Sequence, residues 1–187
     1  TLETLEFNAA VTILVGENGS GKYTLLEAIA CGLKCPVVGA ADVQQDPLLE
    51  PARQLASQLT FSRSTNPRTR LFFRAEDAIG FTRWVSENLH ELDDMKRDFA
   101  RNLSGYGRDL AVGAVEGQKS GLTSRYGDNP DAQSHGEWFV NMLRTRIHGK
   151  GLYLLDEPET PLSPIHQLSL LSIIMEVARL GGQFIIA

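Results

Sequence analysis

Gly16-Glu17-Asn18-Gly19-Ser20-Gly21-Lys22 is the stretch on which the fold turns. It fits the pattern G-x-x-x-x-G-K in full. Just before it, Val11-Thr12-Ile13-Leu14-Val15 is a β-branched run, the composition of a buried strand. Just after it, Tyr23-Thr24-Leu25-Leu26-Glu27-Ala28-Ile29-Ala30 is rich in helix formers. Strand, glycine-rich turn and helix in that order form a corner that holds a polyphosphate. The glycines let the backbone curl so that successive N–H groups point inward, and the helix start adds its positive end. Lys22 then reaches the β- and γ-phosphates as a mobile point charge. A chance glycine corner has no reason to carry the lysine and both flanking elements as well.

The pattern breaks one residue later. It calls for Ser or Thr, whose hydroxyl holds Mg²⁺, and the chain has Tyr23. A phenol does not fit that small place unless the helix start moves or the ring points away. Thr24 follows, with a hydroxyl suited to the α-phosphate but aimed along a different helix direction. The expectation is weakened Mg²⁺ binding and slow hydrolysis, with nucleotide binding less affected.

A second constellation lies far down the chain. Leu152-Tyr153-Leu154-Leu155-Asp156-Glu157 is an apolar strand ending in two carboxylates. In an open parallel sheet, ligands gather at the carboxyl ends of the strands. Asp156 is the candidate to hold Mg²⁺ through a bound water. Glu157, on the opposite side, is the candidate to polarise an attacking water.

Between and around these motifs, strands and helices alternate, which predicts an α/β fold with a mostly parallel sheet. Leu2 to Phe7 alternates apolar and polar and reads as a half-buried strand. Leu71-Phe72-Phe73 and Phe184-Ile185-Ile186 are further strands. Apolar positions Ile79, Phe81, Trp84, Val85, Leu89, Leu92, Met95 and Phe99 recur at helical spacing. Glu137 to Leu143 opens a helix, and Pro164 opens another that runs to Leu180. Residues 36–67 read as an irregular or partly helical excursion. Residues 104–136, rich in glycine, read as a long loop.

Composition narrows the class. With 187 residues, 42% hydrophobic and 22% charged, the chain suits one globular domain. A net charge of −5 gives no global pull toward nucleic acid or anionic lipid. Arg63, Arg68, Arg70 and Arg74 crowd one stretch, which reads as a solvated loop and strand end. No apolar run reaches the roughly 18–20 residues that span a bilayer, and Thr1 to Ala10 lacks the features of a signal peptide. The two cysteines, Cys31 and Cys35, read as reduced structural thiols of a cytoplasmic protein.

The two motifs together resemble those of ABC-type ATPase domains, a branch of the P-loop NTPases. More narrowly, the chain resembles small bacterial ABC/SMC-like ATPases of the AAA family, whose signature reads Gln-Ser-His-Gly-Glu. Here that signature is Gln133-Ser134-His135-Gly136-Glu137. The resemblance covers nearly the whole chain. It implies one ABC-type ATPase domain over 1–187, with an antiparallel N-terminal portion and a small helical lobe at about 77–148. It implies ATP and Mg²⁺ as cofactors and an ATP-dependent head-to-tail homodimer. Each ATP would lie between one subunit's loop, Gly16 to Lys22 with Tyr23 and Thr24, and the other's Ser134, His135 and Gly136. Ser134 and Glu137 also suit a helix capping box, and the two roles are compatible. Glu76 is the nearest candidate for the glutamine that touches the metal in the family. Thr160 to Pro164 resembles the segment that crosses the dimer interface. The switch histidine belongs a few residues past Ile186; the sequence ends at Ala187, and the expectation is a tail not represented in it.

Four functions compete at this stage. The first is an ATP-switched ATPase acting on an unknown protein or DNA partner, without direct membrane insertion. The second is the ATPase subunit of a membrane transporter, against which stand the unusual signature and the lack of a recognisable coupling segment around 77–103. A DNA-maintenance head is the third, although residues 78–103 are too short for a long coiled coil. A catalytically impaired nucleotide-sensing module, suggested by Tyr23, is the fourth.

Overall fold

The computed structural model describes residues 4–17, 19–38, 43–126 and 135–187. Among them, four parallel strands form one sheet: β1 (Val11–Ile13), β2 (Thr69–Arg74), β3 (Gly151–Asp156) and β4 (Gln183–Ile186), in the order β1-β4-β3-β2. The central strand β3 is buried from Gly151 to Leu155, as a strand covered on both faces must be. Its side chains alternate between two cores. Tyr153 and Leu155 join Leu71, Phe73 and Phe184 on one face. Leu152 and Leu154 join Phe72 and Ile185 on the other.

Helices cover both faces. The second core is closed by α1 (Lys22–Gly32), whose Leu26, Ile29 and Ala30 are buried there, and by α2 (Glu50–Gln58) through Ala52. The first core is closed by α3 (Ala75–Asn102), α5 (His135–Arg146) and α6 (Pro164–Arg179). Helix α1 stops where Lys34 turns left-handed at φ 51° and Cys35 N–H donates to Ala30 O at 2.9 Å. Cys31 and Cys35 are free and buried, and burial pushes the Cys35 thiol up to about 12.

Two expectations are corrected. The stretch read as a long loop is mostly helix: α4 spans Gly105–Tyr126. Its glycines weaken a helix by about 1 kcal/mol each relative to alanine, and packing against α3 overrides that. The two helices run antiparallel, tied by Lys119 to Asp93 at 2.6 Å and Lys96 to Glu116 at 2.7 Å, with Val115 and Tyr126 buried. The second correction concerns the N-terminus. Residues 4–8 form no strand, so the antiparallel portion expected there is not found among the described residues. That segment is tethered instead, with Gln183 Nε2 donating to Phe7 O at 2.7 Å and Phe184 N–H to Ala10 O at 2.8 Å. Alternation gave it an apolar face, but among the described residues no strand lies beside it to complete a ladder. Among the described residues, no helix is long and apolar enough to cross a membrane.

Candidate functional site

The carboxyl ends of β1 and β3 face the same edge of the sheet, and the candidate residues gather there. Leu14 N–H still pairs with Ile186 O at 2.7 Å, after which the chain leaves the sheet and turns. Gly19 and Gly21 lie at φ 83° and 88°, a region that side chains rarely adopt, and Gly21 leads directly into α1. Ser20 N–H donates to Glu17 O at 3.1 Å, which closes the turn. Asn18 lies outside the described residues.

Helix α1 starts with no side-chain cap and no acid in its first turn. Its leading N–H groups and positive end are therefore not satisfied locally, which suits an anion. The Lys22 ammonium reaches back toward Glu17 O at 3.4 Å and sits 4.2 Å from the centre of the Tyr23 ring. Gly16, Glu17, Gly19, Ser20 and Thr24 are exposed, as a ligand cradle must be.

Across from the loop, β3 ends at Asp156, and Glu157 follows it. Glu157 adopts φ 43°, a backbone state that holds a side chain at about 1–3 kcal/mol of strain. It is kept there by Glu157 N–H donating to Ala187 O at 2.9 Å and Thr160 N–H donating to Glu157 O at 3.0 Å. Its side-chain partner is Tyr23: the phenol donates a hydrogen bond to Glu157 Oε1. That bond, with burial and the neighbouring Asp156 and Glu159 charges, pushes the Tyr23 phenol up to about 12, so it remains protonated.

Asp156 Oδ1 is buried and has no hydrogen-bond partner among the described residues. Burial first, then the charges of Glu157, Glu27 and Glu76, push Asp156 up to about 7. Among the described residues, no three His, Cys, Asp or Glu side chains group closely enough to hold a metal by themselves. An orphaned oxygen among like charges is the electrostatic setting of a cation site. Asp156 therefore fits the metal, and Tyr23 does not: its hydroxyl is spent on Glu157.

Glu76 is largely exposed and pairs with Arg74 Nη1 at 3.3 Å. Gly136 lies in the first turn of α5 and packs on α6, where a Cβ would come within 2.6 Å of His166 Nδ1. That ring nitrogen is 2.9 Å from Ser163 Oγ. His135 begins α5. Ser134 and the His135 side chain lie outside the described residues.

Sequence reasoning missed three features. Glu27 stands one turn beyond Tyr23 on α1, near enough to Asp156 to shift it, and the i, i+4 spacing was a usable signal. Arg74 is buried in an acidic cluster rather than solvated at a strand end. The Tyr23–Glu157 bond joins residues 134 positions apart and left no local signal.

A family model described as ABC transporter matches residues 5–160. The aliphatic sulfonates import ATP-binding protein SsuB of Shigella flexneri is 32% identical over 170 residues, covering 90% of this chain and 56% of that protein. SsuB of Escherichia coli (strain K12) is 30% identical over 165 residues, 88% of this chain and 54% of its own length. The nisin transport ATP-binding protein NisT of Lactococcus lactis subsp. lactis is 26% identical over 165 residues, 83% of this chain and 25% of its length. The chain thus spans about half the length of the SsuB relatives. No solved structure matches the chain significantly. Phosphate loop, acidic strand end, parallel sheet and family match agree: the chain belongs to the ABC transporter family and is an ATP-binding, ABC-type ATPase domain.

Proposed function

We propose that residues 1–187 act as one domain that hydrolyses ATP within a head-to-tail dimer and passes the resulting motion to a partner. The observation that carries the reading is the left-handed glycine loop ending in Lys22, set opposite Asp156 and Glu157. Loop amides and Lys22 bind the phosphate tail. Ser134, His135 and Gly136 of a second copy approach the γ-phosphate. Glu157 takes a proton from the attacking water as its oxygen bonds to the γ-phosphorus. The bond to the bridging oxygen breaks, and ADP and inorganic phosphate leave. Asp156, with Glu76 as a candidate beside it, is the carboxylate available to Mg²⁺, which when bound neutralises developing charge. Tyr23 removes the second donor such a site needs, so hydrolysis is slow.

The partner is read as a membrane component of a transporter, with this domain on its cytoplasmic side. The relatives' names favour this: they are import and transport ATP-binding proteins. Sedimentation tests the dimer. The Tyr23→Ser/Glu157→Gln chain should double its mass on adding Mg²⁺ and ATP. A monomer with and without nucleotide would remove the dimer from the proposal.

A further inference from the structure

We infer that Tyr23 sets the nucleotide preference of this site, tilting it from the triphosphate toward the diphosphate. The inference rests on the ATP-binding reading above and deepens it.

The terminal phosphate of a triphosphate must lie between two groups. One is the Lys22 ammonium, which reaches past the loop; the other is the Glu157 carboxylate, which addresses the attacking water. In the structure a single side chain bridges those groups. The Tyr23 ring lies against the Lys22 ammonium at 4.2 Å, and its hydroxyl donates to Glu157 Oε1. The phenol is thus held at both ends in the space the third phosphate needs.

The first two phosphates make different demands. They are met by the backbone around Gly19, Gly21 and the start of α1, which no side chain caps. A diphosphate can seat there with the ring in place. A triphosphate must expel the ring, break its bond to Glu157 and part it from Lys22. It then meets the carboxylates of Asp156 and Glu157, and the charges of Glu27 and Glu76 add to the negative potential at Asp156. The serine or threonine hydroxyl that would help a cation offset those charges is absent. The bond from the Tyr23 hydroxyl to Glu157 therefore works against the third phosphate alone, whereas the ring on Lys22 touches a group that serves the second phosphate as well.

Calorimetry with ATP and with ADP tests this on wild type, Tyr23→Phe and Tyr23→Ala, each with Mg²⁺ and with a chelator. Wild type should bind ADP at least as tightly as ATP. Tyr23→Ala should raise the ATP-to-ADP affinity ratio about tenfold or more, and should do so in chelator too, because alanine offers the metal nothing. Tyr23→Phe keeps the ring and loses its anchor, and its ratio should fall between the two. A wild type that prefers ATP by about tenfold, or a Tyr23→Ala ratio within about twofold of wild type, overturns the inference and leaves ATP binding standing. If neither nucleotide binds any variant, the ATP-binding reading itself falls, and the inference falls with it.

Discussion

Replacing Glu157 by glutamine in a chain that carries Tyr23→Ser should lower ATP turnover by about 10²–10⁴-fold, the range over which a positioned general base acts. The serine background matters. In wild type the Tyr23 phenol occupies Glu157 Oε1, so under the proposed mechanism the base works against two handicaps, that bond and the missing hydroxyl ligand for the metal. With serine in place, the carboxylate is free to take a proton from water. Glutamine has nearly the same shape and keeps an oxygen for Thr160 Oγ1, now 3.5 Å from Glu157 Oε2. The backbone bonds of Glu157 to Ala187 and Thr160 are untouched. Phosphate binding by the loop is untouched too, so KM should hold while kcat falls, the pattern of a group used only in the transition state. Phosphate release under saturating ATP checks this. Turnover within about threefold of the serine parent would show that Glu157 is not the base.

The second large effect is on stability. Arg74→Met should destabilise the fold by about 3–5 kcal/mol, the usual penalty for stripping one partner from a buried charge network. Arg74 ends β2 beside Asp156 in the sheet register and is 4% exposed. Its Nε donates to Asp77 Oδ2 at 2.8 Å and its Nη2 to Asp46 Oδ2 at 3.0 Å. Asp46 in turn accepts from Leu48 N–H through Oδ1 at 3.0 Å, and its carbonyl accepts from Arg53 Nη1 at 2.7 Å. Methionine would fill much of the volume yet leave the carboxylates of Asp46 and Asp77 without a countercharge. Urea unfolding should show a lower midpoint with an unchanged slope. Adding Asp46→Asn and Asp77→Asn should recover a large part of the loss, because the stranded charges go with them. A loss below about 1 kcal/mol would place Arg74 among weak surface pairs instead.

The contrast between Arg74 and the phosphate loop shows what was legible in the sequence. The spacing of Gly16, Gly21 and Lys22 encodes a backbone path directly, because only glycine relieves the positive φ at Gly19 and Gly21. Apolar runs gave β2, β3 and β4, since a strand covered on both faces has no polar side. Pro164 marked the start of α6. Helix α4 was hidden because its own composition argues against it, and its stability comes from α3 lying alongside. The alternation over residues 4–7 misled in the opposite sense, Leu2 and Glu3 lying outside the described residues: a period of two describes a face and cannot supply a partner strand. Arg74 read as a solvated strand end because Asp46 lies 28 residues away and Arg74 is brought to it only by the fold. At the site, the residue types were visible in the chain, whereas the bond from Tyr23 to Glu157 emerged only once α1 and β3 were set side by side.

Thermal unfolding in the presence of ATP tests the claim on which everything else stands, that the loop from Gly16 to Lys22 holds the nucleotide. A ligand at about 100 times its dissociation constant adds about 2.7 kcal/mol, or a rise of about 5 °C or more in a chain of this size. Wild type should show that rise with ATP, and Lys22→Ala should lose most of it while melting normally without nucleotide. Identical melting of wild type with and without saturating ATP, repeated in Tyr23→Ser, would contradict the account.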